Sequence, residues 1–196
     1  MVLRVKAGVM DADVAVLNTA EQLFYARGVH AVGMDDIRDG SGVSLKRMYR
    51  SFATKERLVT EVLRRRDVIW RGRLTTYVTE ATTDPVGRLL AVFDWLHQWF
   101  SEPDFRGCAW INVFGELGGG SPDVVAQARA HKTAFRSYLG DLVAAAGLPS
   151  SLADHLSLLA EGAMTTAAIS GSASPAQQAR AAARVLIGSA GGVVVP

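Results

Sequence analysis

Apolar positions along this 196-residue chain recur three and four residues apart almost everywhere, and no alternating strand pattern of useful length interrupts them. Val14, Leu17, Ala20, Leu23 and Phe24 form one stripe, closed by Gly28 in the way a glycine ends a helix. Asp35 and Asp36 favour the start of a second helix around Ile37. Gly40-Ser41-Gly42 breaks it, Ser44 can cap a third short helix, and Phe52-Ala53-Thr54 ends that one. Thr54 can cap a longer helix with Leu58, Val62, Leu63, Ile69 and Trp70 inward.

Further punctuation divides the rest. Asp84-Pro85 places a cap before a proline at the first helical position. Gly118-Gly119-Gly120 is a linker, and Ser121-Pro122-Asp123 opens a helix to about Ala146. Gly147-Leu148-Pro149-Ser150 ends that helix and caps the next, and Gly171 to Pro175 separates the last two. The short tail Val193-Val194-Val195-Pro196 adds no element. The pattern predicts an all-α chain of about nine helices, with no internal repeat.

The segment "SGVSLKRMYRSFATKERL" (41–58) carries both core residues and cations. A helix, a tight glycine-containing turn at 41–43 and a second helix over 44–51 read as a helix-turn-helix. Val43, Leu45, Met48 and Phe52 project inward, while Lys46, Arg47 and Arg50 are expected to share the outer face. A major groove admits such a helix, where Lys and Arg donate to guanine O6 and N7. Tyr49 suits a phosphate contact, and Ser44 and Lys55 stand at helix starts where phosphates bind.

Charge supports that reading. Residues 1–73 hold 14 Lys/Arg against 9 Asp/Glu, whereas 74–196 hold 7 against 10. A basic N-terminal third on a mildly acidic body fits a polyanion-binding module. Arg64-Arg65-Arg66 reads as a solvated helix face. One cysteine, Cys108, rules out an internal disulfide framework, and no run of about 18 apolar residues suggests a membrane span. A cytoplasmic location is expected.

At residues 11–66 the chain resembles the TetR family of transcriptional regulators. The resemblance rests on Phe24-Tyr25-Ala26-Arg27-Gly28, Met34-Asp35-Asp36-Ile37, Gly42-Val43-Ser44, Tyr49, Phe52 and Lys55-Glu56-Leu58 in order and spacing. The stretch "RGCAWINVFGEL" (106–117) also looks like the ligand-binding half of one TetR subgroup. Gly33 departs from the Thr or Ser common before the second helix, and Arg38, Gly40 and Ser41 stand where alanines are usual. The resemblance implies a flexible arm at 1–10, a DNA-binding domain at 11–58 and a ligand-binding, dimerising domain at 59–196. It also implies a palindromic duplex operator and a homodimer built on the last two helices, whose Ala, Gly, Ser and Thr could equally serve packing within one chain.

Aromatic residues concentrate between 70 and 114. A plain core explains most of them, and the resemblance favours a pocket for an apolar or aromatic effector. Trp70, Phe93, Trp99, Trp110 and Phe114 are the expected walls, with His97, Asn112 and Glu116 as polar handles. No catalytic constellation, metal site or cofactor motif is present in the sequence: the four histidines are scattered and Cys108 has no base beside it in sequence. The reading is therefore a non-enzymatic regulator, a repressor released by a small molecule. The rivals are an α-helical enzyme or a ligand-binding protein with an aromatic pocket.

Overall fold

The computed structural model describes the backbone of residues 2–191 and the side chains of residues 12–191. The tail from Val193 lies outside the described residues. Nine helices and no strand are found among the described residues: α1 (Val2–Arg27), α2 (Met34–Ser41), α3 (Leu45–Ser51), α4 (Lys55–Ala81), α5 (Pro85–Phe100), α6 (Ala109–Leu117), α7 (Pro122–Ala145), α8 (Ser151–Ser170) and α9 (Ser174–Ser189). Helix α1 reaches back to Val2 and so includes the backbone of residues 2–10.

The capping chemistry falls where the pattern placed it. Ser44 Oγ accepts from the Arg47 N–H, Thr54 Oγ1 from Arg57, Asp84 Oδ2 from Gly87 and Ser121 Oγ from Val124. Each takes up one of the amide donors that a helix start leaves unpaired. Ser150 is the exception, with no capping bond from its side chain.

Two compact units emerge, and their borders differ from the expected 11–58 and 59–196. Residues 1–67 and 109–128 form unit 1; residues 68–108 and 129–196 form unit 2. Helix α6 and the first turns of α7 therefore belong with the N-terminal helices.

In unit 1, Val16, Leu17, Ala20 and Phe24 of α1 are buried with Ile37 of α2, Met48 of α3, and Leu58, Val62 and Leu63 of α4. Val14, expected on that stripe, is instead exposed. In unit 2, the aromatic residues interlock. Trp70 meets Trp95 and Trp99 edge-on at 5.0 and 5.5 Å, and His131 and Phe135 at 5.0 and 5.6 Å. Trp95 stacks on Trp99 at 5.6 Å, and Phe105 closes the cluster against Trp99 and Phe100. These separations are those of favourable edge-to-face and offset pairs.

The small residues of α8 and α9 also divide by face. Ala160, Ala163 and Ala167, with Ala176, Ala179 and Ala183, are buried in the close packing of α8, α9 and α5. Left outside are Leu158, Ile169 and Val185, each more than 60% exposed.

The unusual second helix has a local explanation. Gly33 has no side chain to cap α2, but the Asp36 carboxylate reaches back and accepts from the Gly33 N–H at 2.7 Å. That bond, with the Arg27 guanidinium 3.4 Å away, holds the Asp36 carboxyl below its ordinary value of 3.8. A depressed carboxyl stabilises the fold above its unfolded value, and the contribution is lost as pH falls through the folded one. Gly40 is required by proximity: a Cβ there would lie 2.6 Å from Thr19 Cγ2 of α1.

Two tests follow from α2. Ala in place of Gly gains at most about 1 kcal/mol of helix propensity, whereas overpacking costs about 1–3 kcal/mol. Gly40→Ala should thus lower the denaturation midpoint, and Thr19→Ser, which removes the obstructing methyl, should turn the same change stabilising. An NMR titration should place the Asp36 carboxyl midpoint below 3.8; a midpoint above it would contradict the cap.

Candidate nucleic-acid interface

The turn between α2 and α3 is set by Gly42, whose φ of 69° lies in the left-handed region and whose N–H donates to the Arg38 carbonyl at 2.9 Å. Ser44 then starts α3 in an extended conformation. Met48, nearly inaccessible, and Phe52 fasten the inner face of the helix. Lys46, Tyr49 and Arg50 stand exposed on the other side. Lys46 and Arg50 are one turn apart, so they present two cations side by side.

Arg47 does not join them. Its side chain is only 16% exposed and turns toward α1, where it donates to Asp13 Oδ1 at 3.0 Å and to Ser51 Oγ at 2.8 Å. Ser51 Oγ donates to the same carboxylate oxygen at 2.8 Å. The expectation of three cations on one outer face is corrected to two, because a carboxylate 34 residues upstream captures the third. Arg47 is a strut fixing α3 against α1.

The acids of α2 temper its own surface. Arg38 pairs with Asp35 and with Asp39. The exposed positive face of the motif is therefore on α3, with Lys55 at the start of α4.

Behind the motif, α6 supplies a clamp. Glu116 Oε1 accepts from the Val29 N–H at 3.0 Å and Oε2 from the His30 N–H at 2.8 Å. The His30 Nε2 lies 3.2 Å from the Glu116 carbonyl. One carboxylate thus takes up two amides of the turn that follows α1. Gly28 makes this approach possible: its φ is 83°, and a Cβ there would lie 3.1 Å from Glu116 Oε1. Expected as an effector handle, Glu116 is a structural fastener instead.

Two hollows in unit 1 flank the clamp. An open cleft is bordered by His30, Lys55, Glu56 and Glu116, with Gly119 and Gly120 on its rim. A narrow recess lies among Phe24, Tyr25, Val62 and Val113, with Asn112 at its edge. Arg66 borders it too, bonded to Glu21 at 2.7 Å and lying 4.1 Å over the Tyr25 ring. Arg66 is thus packed rather than solvated, although Arg64 stays at the surface beside Glu61.

The expected effector residues are divided between the two units. Trp70, Phe93, His97 and Trp99 belong to unit 2, where the three rings are buried and His97 is half-buried. Trp110, Asn112 and Phe114 belong to α6 of unit 1. Trp110 is fully buried, whereas Phe114 is 49% exposed. Sequence reasoning missed Asp13, Ser51 and the clamping role of Glu116, because each acts on a partner distant in the chain.

Three helices in a helix-turn-helix arrangement, braced from behind by α6, define the class of a helix-turn-helix protein. Bacterial regulatory proteins of the tetR family match at residues 16–62. That match covers α2, α3 and parts of α1 and α4, the segment that holds the helix-turn-helix. The transcriptional activator FasR of Mycolicibacterium smegmatis is 33% identical over 129 residues, which cover 65% of this chain and 57% of the relative. The transcriptional repressor KstR2 of Mycobacterium tuberculosis is 33% identical over 78 residues, 40% of this chain and 38% of that one. The chain thus spans about half the length, or less, of these curated relatives. A TetR-family regulator from Streptomyces coelicolor superposes with a TM-score of 0.84 at 26% identity, over 92% of this chain and 96% of its own.

Replacing Glu116 with Gln keeps the clamp's size but leaves one amide of the turn facing an NH₂ group. Charge-assisted bonds of this kind contribute about 1.5–3 kcal/mol. Glu116→Gln should lower stability to chemical denaturation by about 1–3 kcal/mol; an unchanged midpoint would show that the clamp carries no weight.

Proposed function

We propose that this protein is a homodimeric, sequence-specific DNA-binding transcriptional regulator in which α3 enters the major groove. The observation that carries the reading is the pair Lys46 and Arg50. They stand exposed beside Tyr49 on a helix whose third cation is spent on bracing it. In this assignment Lys46 and Arg50 read base edges, while Tyr49, Ser44 and Lys55 hold phosphates. The tetR-family match over the motif supports it, as does the description of both curated relatives as helix-turn-helix transcriptional regulators.

Dimerisation is assigned to α8 and α9. On α8 the exposed positions His155, Leu158, Gly162, Thr165 and Ile169 follow one helical face that carries no Asp, Glu, Lys or Arg. Beside it α9 exposes Ala181, Val185 and Gly188. An uncharged face with large aliphatic side chains in water is the mark of a covered surface. A two-fold axis would repeat each contact and present two copies of α3 to a palindromic operator.

Regulation is assigned to an apolar or aromatic small molecule that releases a repressor from DNA. Such a ligand acts only through its differential affinity for the two conformations. The ring cluster around Trp70 and Trp99 is the proposed place. Its members already touch one another, so an effector has to part them, and tryptophan emission should change at the concentrations that release DNA.

For α3, Lys46→Ala and Arg50→Ala should each cost about 1–3 kcal/mol of operator discrimination. Lys55→Ala should weaken binding to all sequences and reduce the salt slope by about one. Arg47→Ala should lower stability first. Affinity for duplex DNA unchanged in Lys46→Ala and Arg50→Ala would overturn the assignment.

For assembly, Leu158→Glu with Val185→Glu alters only residues exposed within the protomer. Light scattering should find a dimer for the wild type and a monomer of unchanged helicity for the variant. A monomeric wild type at micromolar concentration would contradict the proposal.

A further inference from the structure

Asp13 makes none of the assigned DNA contacts, yet it governs how many cations α3 can offer. Three residues apart on a helix of about 3.6 residues per turn, Arg47 and Arg50 lie roughly 60° from each other around the α3 axis. The backbone therefore places Arg47 in the outer sector, but its side chain goes the other way. Nη2 donates to Asp13 Oδ1 at 3.0 Å and Nη1 to Ser51 Oγ at 2.8 Å. Arginine grips a phosphate or a guanine edge with its forked N–H groups, and here both terminal nitrogens are already engaged.

Ser51 closes the arrangement. Its hydroxyl accepts from Arg47 and donates to the same Asp13 oxygen at 2.8 Å. A guanidinium can only donate and a carboxylate can only accept, so the hydroxyl has one orientation available between them. The Arg47 side chain keeps 16% exposure, against 40% for Arg38 and 63% for Arg64 in their surface pairs. Water and salt screen those two more than they screen Arg47.

We propose that Asp13 is a specificity-determining residue that acts without touching DNA, by withholding Arg47 from the duplex. The inference rests on the reading of α3 as the recognition helix and adds a residue of α1 to it. Phosphate contacts raise affinity for every sequence alike, whereas base contacts separate one sequence from another. A regulator is set against a large excess of non-specific sites, so its specificity ratio matters more than its affinity alone. Asp13 removes one cation from the phosphate-binding charge of α3. Through Arg47 and Ser51 it also holds that helix to α1. Both effects raise the ratio of specific to non-specific affinity.

The sign of the effect separates this role from a purely structural one. Loss of a mere strut weakens binding to every duplex. Loss of Asp13 in the proposed role strengthens binding to non-specific duplex while discrimination falls.

The test measures the full-length protein across a salt series on two probes, a mixed-sequence duplex and the best duplex that the wild type recovers from a random pool. Asp13→Ala puts a strong helix former at a helical position. It should bind the mixed duplex on the order of fivefold tighter at physiological salt, with a salt slope steeper by about one. Its specific to non-specific ratio should fall by about tenfold. Adding Arg47→Met should return the slope to that of the wild type. Asp104→Ala, at an exposed position of unit 2, makes the same change in net charge and should leave the ratio unaltered. Asp13→Asn keeps the size and an acceptor oxygen, should move both quantities in the same direction, and carries the test if the alanine variant loses helicity. With a wild type that selects a site, unchanged slope and ratio in the Asp13 variants, or weaker binding to both probes, overturns this role alone. A slope that falls by about one in Arg47→Met by itself also overturns it, because Arg47 then already reaches the duplex. A wild type that binds no duplex at any salt overturns the reading of α3, and this role with it.

Discussion

A single carboxylate anchors the DNA-binding unit from behind. Glu116 accepts from two consecutive backbone amides, Val29 and His30, in the turn that connects α1 to α2. Amides in a turn have no helical partner, and the Val29 amide in particular is part-buried, so leaving it unpaired would cost about 1–3 kcal/mol. Gly28 meets both requirements of the arrangement. Its positive φ ends α1, and its missing side chain leaves room for the carboxylate. The helix-turn-helix is thus completed by a residue 86 positions further along the chain.

The same principle recurs in front. Asp13 holds Arg47, and Arg47 holds Ser51, so α3 is fixed to α1 by polar atoms as well as by Met48 and Phe52. Bracing has a functional meaning. A recognition helix discriminates bases through bidentate geometry, which requires that its backbone not drift. One of three clustered cations is given up to this rigidity, and Lys46 and Arg50 remain exposed for the proposed contact with DNA.

Helix boundaries were legible because they rest on local chemistry. Ser44, Thr54, Asp84 and Ser121 each bond an amide three residues on, and glycines at 28, 42 and 171 adopt the left-handed conformation that ends a helix. The oddities of α2 also have local causes, in Asp36 and in the nearness of Thr19 to Gly40. Side-chain roles were less legible. Periodicity places Arg47 on a face but cannot foresee Asp13, and it marks Glu116 as polar without naming its partners. The aromatic stretch 70–114 was legible as apolar; that its tryptophans fill the space among themselves depends on ring-to-ring packing no spacing encodes. Likewise, the alanines of α8 and α9 pointed to close approach, but the structure spends them within the chain. The uncharged stripe from Leu158 to Ile169 is what is left for a partner.

The central claim is that α3 reads duplex sequence from a braced, two-cation face. The most direct test is selection of bound fragments from a random duplex pool by the purified wild-type protein at physiological salt. The account predicts enrichment of a palindrome whose half-sites are separated by about one helical turn, roughly 10 base pairs, or a multiple of it. Recovery of a pool as random as the starting one, with binding that merely follows ionic strength, would contradict it.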